Sequence, residues 1–246
     1  MKIGSDPELI AIDDGGIARS VIGKIGGDKD KPKPTEHGWV QEDGVLAEYN
    51  IHPVESLSDW LQAHRGVRAD LDTILAEHGL RTAVRASDWY DVVELQHPLA
   101  RIAGCQPDYN IWIKESNIPP DLWETQLRSA GGHIHIGSEM DKDLMVMSMD
   151  LYLGIPSVIM DEDTERKELY GKAGCYRDKD YGIEYRTLSN FWLRDKATMT
   201  WAYQQTERAL EMHDKIDVPA MVEDIINSNN KEEAWNLIQR YDLEVV

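Results

Sequence analysis

Along most of the chain, apolar positions either alternate with polar ones or recur every three to four residues, and the changes of period mark its elements. In MKIGSDPELIAI, Ile3, Leu9, Ile10 and Ile12 predict extended structure ending at DDGG, residues 13–16, a strong hairpin signal. GIARSVIG reads as the returning strand. From 23 to 38, GKIGGDKDKPKPTEHG carries four lysines and two prolines among its glycines, which predicts an irregular solvated loop that could close over a substrate. Extended structure resumes at GVLAEYNIHP. Trp60, Leu61, Val67, Leu71, Ile74 and Leu75 then recur at helical spacing. They predict a helix over 58–78, capped by Ser58, ended by Gly79 and containing one interior glycine, Gly66.

LRTAVRASDWYDVVEL and PDYNIWI carry strand signals. In SAGGHIHIGSEM, residues 129–140, an extended backbone puts His133 and His135 on one face and Ile134 and Ile136 on the other. The alternation predicts a face and leaves its occupant open. DLMVMSMDLYL is helical, with Gly154 and Pro156 expected to interrupt or kink it. DEDTERKE, 161–168, reads as a solvated helix face or loop. A long helix follows from Asp195 to about Asp214, then MVEDIINS and a short helix EEAWNLIQRY with Asn229 as its cap. Strands first, with helices between and after, predict an α+β fold rather than a doubly wound parallel sheet.

The 246 residues suit one large domain or two small ones, with a core that needs no disulfides. Cys105 and Cys175 form no CxxC pair and no secretory signal is recognised, so reduced thiols and a cytoplasmic location are expected. No apolar run stands out at bilayer length, and no membrane span is expected. A formal charge of -19 argues against a broad nucleic-acid surface, and it requires local cations around any anionic substrate.

Candidate chemistry lies in acidic residues within extended segments: Asp6 and Glu8 in GSDPEL, Glu48 in AEYN, Asp108 in GCQPDYN, and Glu184 two residues before Arg186 in YGIEYRTLSN. Each alone is an ordinary solvated or turn-capping carboxylate. Gathered on one sheet surface with the two histidines, they offer the several oxygens that hard divalent cations require. A structural zinc site is disfavoured because the cysteines lack ligand spacing. Trp39, Trp89, Trp112 and Trp192 read as core residues or as walls of a substrate cavity.

GSDPEL, AEYN, GCQPDYN, AGGHIHIG, LYGKAGCYR and YGIEYRTLSNFW occur here in the order found in phage-encoded amidoligases, the carboxylate-amine ligases of podophages of Escherichia coli. The chain resembles that family over roughly residues 1–194. Through the family it is similar to glutamine synthetase and glutamate-cysteine ligase. The resemblance implies a single amidoligase domain over 1–246, with 195–246 as a helical buttress. It also implies a curved, mostly antiparallel sheet forming a funnel, with ATP entering one end and a carboxylate and an amine meeting at the other.

Carried over by position, it implies ATP and magnesium or manganese as cofactors, with Asp6, Glu8, Glu48, Asp108, His135 and Glu184 as metal ligands. Asp6 and Asp108 are shorter than the glutamates usual elsewhere in the superfamily, so a water could bridge either to a cation. His133 is a neighbour or substrate contact. Arg186 contacts the transferred phosphoryl group, with Arg177 and Lys172 as further nucleotide-binding cations. Arg128, Arg166 and Lys167 are weaker candidates, and a solvated role is expected for Lys167. The implied reaction is amide formation through an acyl phosphate, in the host cytoplasm if the chain is phage-encoded. With no Walker A loop or Rossmann fingerprint, the ATP expectation rests on the resemblance. A metal-dependent hydrolase and a nonenzymatic phage assembly protein are the competing readings.

Overall fold

The computed structural model describes residues 2–102 and 108–246; Cys105 and most of GCQPDYN lie outside the described residues. In chain order the strands are Lys2–Ser5 (β1), Glu8–Ile12 (β2), Ala18–Arg19 (β3), Lys33–Pro34 (β4), Gly38–Asp43 (β5), Leu46–Ile51 (β6) and Arg81–Ala83 (β7). After these come Ser87–Trp89 (β8), Tyr109–Asn110 (β9), Glu115–Ser116 (β10), Leu127–Ser129 (β11), Ile134–Gly137 (β12), Cys175–Lys179 (β13) and Gly182–Tyr185 (β14). The helices are Leu57–Ala76 (α1), Lys142–Met149 (α2), Ile155–Met160 (α3), Arg166–Leu169 (α4), Lys196–Met212 (α5), Met221–Ser228 (α6) and Lys231–Tyr241 (α7).

The fold is α+β, with antiparallel strands in two larger sheets and one small pair. One sheet runs β1-β12-β14-β13-β9-β10 and the other β3-β2-β6-β5-β4, with β7 also paired to β2. β8 and β11 pair separately. The two larger sheets meet at the Asp6-Pro7 corner, where the chain passes from β1 into β2. Proline supplies no backbone N–H for a ladder, so pairing breaks there and the strand can turn into the second sheet. A bridge between Ile3 and Val54 closes the same corner from the other side.

Helix α1 covers β5, β6 and β7, burying Trp60, His64, Val67, Leu71 and Leu75. Its cap is Ser56, whose hydroxyl accepts from the Asp59 backbone N–H at 3.1 Å, and not Ser58. Gly66 is required by packing, since a Cβ there would lie 2.5 Å from the His37 ring. Gly79 adopts φ +69, as a helix terminator should.

Gly154 and Pro156 do not interrupt the second helical region. The chain passes from α2 to α3 through a π turn at Asp150–Gly154, whose wider i→i+5 bonding absorbs the proline's missing N–H. The resulting run, Lys142–Met160, is long and apolar enough to cross a bilayer by length and composition, which the sequence reading overlooked. In the fold 78% of that window is buried against the protein itself. Helices α5, α6 and α7 pack on this run, and α5 also packs on α1. Asp195 caps α5 in a capping box with Thr198. Asn229 ends α6 in a left-handed conformation, and the neighbouring Asn230 caps α7.

DEDTERKE is solvated only in part: Glu162, Thr164 and Glu168 are exposed, while its other members find partners. Ser189 donates to Asp161 at 2.6 Å, Arg166 is buried, and Lys167 Nζ reaches the Ile226 carbonyl at 2.5 Å. Burial pulls the Lys167 ammonium down to about 8. Among the four tryptophans, Trp192 stacks on Trp60 in the core and Trp112 donates to buried Asp150, while Trp89 is exposed. Only Trp39 of this set lines the large cavity between the sheets.

Candidate active site

Strand register builds the site in two rows. In the first sheet Gly4 lies opposite His135, His135 opposite Glu184, and Glu184 opposite Arg177, so the three functional side chains share one face across neighbouring strands. In the second sheet Gln41 lies opposite Glu48 and Glu48 opposite Glu8. The rows face each other across a cavity of about 630 Å³. His133, one residue before β12, joins His135 on its wall, while Ile134 and Ile136 turn into the core.

The AGGH sequence makes this geometry possible. A Cβ on Gly131 would lie 2.1 Å from His133 Nε2, and one on Gly132 would lie 2.1 Å from the Ser189 carbonyl. Two glycines therefore let the backbone pass beneath the imidazole and against the Ser189 turn. The Gly131 N–H also donates to Glu8 Oε2 at 2.6 Å, tying the histidine strand to the second sheet.

Asp6, His135 and Glu184 each offer one ligand atom within 4.8 Å of the others. Asp6 Oδ1 and His135 Nε2 approach to 2.7 Å, yet neither has an aligned hydrogen bond to a described residue. The other His135 nitrogen is held by the Tyr181 hydroxyl at 2.5 Å, which orients the ring. Converging lone pairs of two carboxylates and one oriented imidazole fit a divalent cation. Burial would raise the Asp6 carboxyl, but the adjoining His135 and His133 hold it well below the usual range. His135 moves the opposite way: burial alone would lower it, and Asp6 raises it.

Glu184 is fully buried, with Lys179 Nζ at 2.6 Å, Arg177 NH1 at 3.3 Å and Arg186 in direct contact. Burial and Asp6 oppose its ionisation, but Arg186, His133 and Arg177 bring its carboxyl down to about 2. Asp108 is not part of the Asp6, His135 and Glu184 cluster, and it lines the narrow chamber that Glu8 and Asp43 also border. It lies 2.6 Å from Arg186 Nε and 3.9 Å from Arg177, on the guanidinium side of the cluster. Asp43, which the sequence reading missed, takes the corresponding place beside Glu8 and Glu48. Burial and Glu8 push Asp43 up to about 6, while burial with Asp6, Asp43 and Glu8 raises Glu48 well above its ordinary value.

The cavity also receives Lys2, Lys29 and Lys179, so basic groups balance the acids locally in a chain of net charge -19. Lys179 was recoverable from Arg177 by the i, i+2 rule; Asp43 carried no signal beyond its place in a QEDG turn. A narrow chamber of about 50 Å³ adjoins the cavity, sharing Glu8, Asp43, His133 and Arg186. Beyond Asp108 lies a third hollow of about 330 Å³, and Lys172 lines this one rather than the large cavity. Arg128 and Arg166 direct their guanidinium groups at backbone carbonyls, Arg128 at Ala100, Leu122, Thr125 and Leu127, and Arg166 at Ala130, Arg186 and Thr187. They brace the loops around the site.

Residues 124–233 match the model of the family described as phage phiEco32-like COOH.NH2 ligase-type 2. That stretch contains His133, His135, Arg177, Glu184 and Arg186, whereas Asp6, Glu8, Asp43, Glu48 and Asp108 lie before it. Among solved structures, one described as a novel glutamine synthase homolog matches with 12% identity and a TM-score of 0.38 over 98% of this chain. The chain spans 61% of that protein's length. No curated protein matches.

Proposed function

We propose that the chain is an ATP-dependent carboxylate-amine ligase that activates its carboxylate as an acyl phosphate. The observation carrying this reading is the Asp6, His135 and Glu184 cluster set directly against Arg177, Lys179 and Arg186 on one cavity wall. A triphosphate needs both cation ligands and fixed positive charge, and the match to a COOH-NH2 ligase family supplies the reaction class.

In this reading Asp6, His135 and Glu184 hold magnesium or manganese, and Glu8, Glu48 and Asp43 form a second carboxylate group suited to a cation. The bound cations would neutralise phosphate charge. Trp39 and the apolar residues near it in the 630 Å³ cavity accept the rest of the nucleotide. Arg186, fixed between Glu184 and Asp108, presents its planar donor fork to the phosphoryl group as it transfers. Arg177 and Lys179 offset the charge of the same oxygens.

The substrate carboxylate attacks the terminal phosphorus and ADP leaves, giving an acyl phosphate at the neck shared by the two chambers. The amine then attacks the carbonyl carbon and phosphate departs. Glu8 and Asp43 border this neck, where they can accept the proton the amine must lose. A water-activating hydrolase would use the same histidines and carboxylates without needing the basic wall.

Calorimetry on metal-free protein tests the binding half of the proposal. ATP affinity should rise at least tenfold with magnesium or manganese, and Glu8→Gln and Glu184→Gln should each remove most of that gain. Equal ATP affinity with and without the divalent cation would reject it.

A further inference from the structure

On the reverse face of β6, away from the candidate active site, lies a separate cavity of about 330 Å³. One wall is a stripe of α1, where Leu61, His64, Arg65, Arg68 and Asp72 recur at helical spacing. The other is the chain entering α5, with Leu193, Arg194, Asp195, Lys196 and Met199. Four basic and two acidic residues line it, the reverse of the chain's overall balance of 26 to 45.

Both acids are already engaged: Asp72 accepts from the Thr82 N–H at 2.7 Å, and Asp195 caps α5 through the Thr198 N–H at 2.9 Å. Arg68 is positioned by Thr82 and by the Leu193 carbonyl, and Arg194 lies 3.7 Å from Asp195. Arg65 and Lys196, on opposite walls, make no side-chain hydrogen bond or ion pair with any described residue. Deeper in, His64 is 1% exposed; its Nδ1 meets the Tyr49 hydroxyl at 2.8 Å, and its Nε2 has no partner among the described residues. Burial keeps this imidazole neutral, down to about 3.

We infer that this cavity is a binding site for a small oxyanion with an apolar body, its head group held by Arg65, Arg68 and Lys196 and its body resting on Leu61, Leu193 and Met199. The volume is at the lower end of small-molecule sites, roughly 300 to 1,000 Å³, so the ligand is metabolite-sized. Arg65 and Lys196 line one cavity and pair with no described residue, and a phosphoryl or carboxylate group placed there would engage both. Tyr49 alternates along β6 with Glu48 and Asn50, which line the large cavity, so one strand contributes to both sites.

Phenyl phosphate and benzoate are suitable probes, titrated into the full chain by calorimetry at low ionic strength and checked by ligand-observed NMR. At least one should bind saturably with a Kd near or below 1 mM, and the tighter of the two identifies the head group. A doubly substituted Arg65→Glu, Lys196→Glu protein should bind it at least tenfold more weakly. Both positions are exposed, and circular dichroism would confirm that this variant folds. Glu184→Gln, which changes the Asp6, His135 and Glu184 cluster and no residue lining this cavity, should leave the Kd within twofold. Absence of saturation by both probes up to 10 mM, undiminished binding by the Arg65, Lys196 variant, or loss of binding in Glu184→Gln would overturn the inference.

Discussion

Replacing Asp150 with asparagine should change how stability depends on pH. Asp150 is a fully buried carboxylate behind the candidate site, accepting from Trp112 Nε1 at 2.7 Å, Tyr185 OH at 2.8 Å and Thr187 Oγ1 at 3.1 Å. Tyr185 and Thr187 alternate with Glu184 and Arg186, so this one acid anchors the inner side of the segment whose outer side faces the cavity. Burial pushes its carboxyl up to about 6, the three hydrogen bonds opposing only in part. A folded-state pKa raised above the unfolded one favours folding fully at low pH, and that contribution is lost as pH rises through about 6.

With an unfolded value of about 3.9, the ionised side chain should oppose folding by about 3 kcal/mol at pH 7.5 and by about 1.5 kcal/mol at pH 5. Asparagine removes this dependence, but with its C=O turned to the Trp112 N–H its NH₂ faces the Tyr185 and Thr187 hydroxyls, which must then accept instead of donate, a rearrangement costing about 1 to 3 kcal/mol. The variant should therefore gain about 1.5 kcal/mol on the parent between pH 5 and pH 7.5, ending as stable as the parent or up to about 2 kcal/mol more stable at the higher pH. Urea unfolding at four pH values from 5 to 7.5 measures that difference, and taking it between two proteins cancels the other titrations. A constant difference across this range would refute the reasoning.

Two further outcomes concern the site. Glu48→Gln should raise the melting temperature at pH 8 in chelator, because burial and Asp6, Asp43 and Glu8 raise this carboxyl and its ionised form opposes folding as pH rises; the same change should weaken magnesium binding at least tenfold, and a lowered melting temperature in chelator would contradict the electrostatic account. Arg186→Lys retains charge but loses the planar fork between Glu184 and Asp108, so single-turnover acyl-phosphate formation should slow by about 10²-fold while ATP affinity changes little. Near-normal turnover with reduced thermal stability would make Arg186 a structural brace instead.

Local periodicity carried much of this fold. The HIHI alternation placed two histidines outward and two isoleucines inward, and the α1 stripe located the main helix on the second sheet, because such patterns depend only on a residue's near neighbours. Misplaced caps at Ser58 and Asn229 reflect how several adjacent polar residues can each serve, with tertiary geometry choosing among them. The π turn at Asp150–Gly154 was hidden because a proline's effect depends on whether the preceding turn can widen. Asp108 and Asp43 are instructive as a pair: both are acids near strand ends, and only tertiary contacts show that Asp108 meets the Arg186 and Arg177 guanidinium groups while Asp43 sits beside Glu8 and Glu48. DEDTERKE read as solvated because its charge gave no hint that Arg166 and Lys167 would find buried backbone carbonyls.

Oxygen transfer tests the proposed ligase most directly. Once a screen of amino acids and polyamines for ATP-dependent mass change has identified the reacting pair, the carboxylate is supplied with both oxygens labelled as ¹⁸O, together with ATP, magnesium and the amine. Acyl-phosphate chemistry predicts ADP, the amide, and inorganic phosphate carrying one labelled oxygen per amide formed. Amide formation with unlabelled phosphate, or with AMP and pyrophosphate in place of ADP and phosphate, would contradict it.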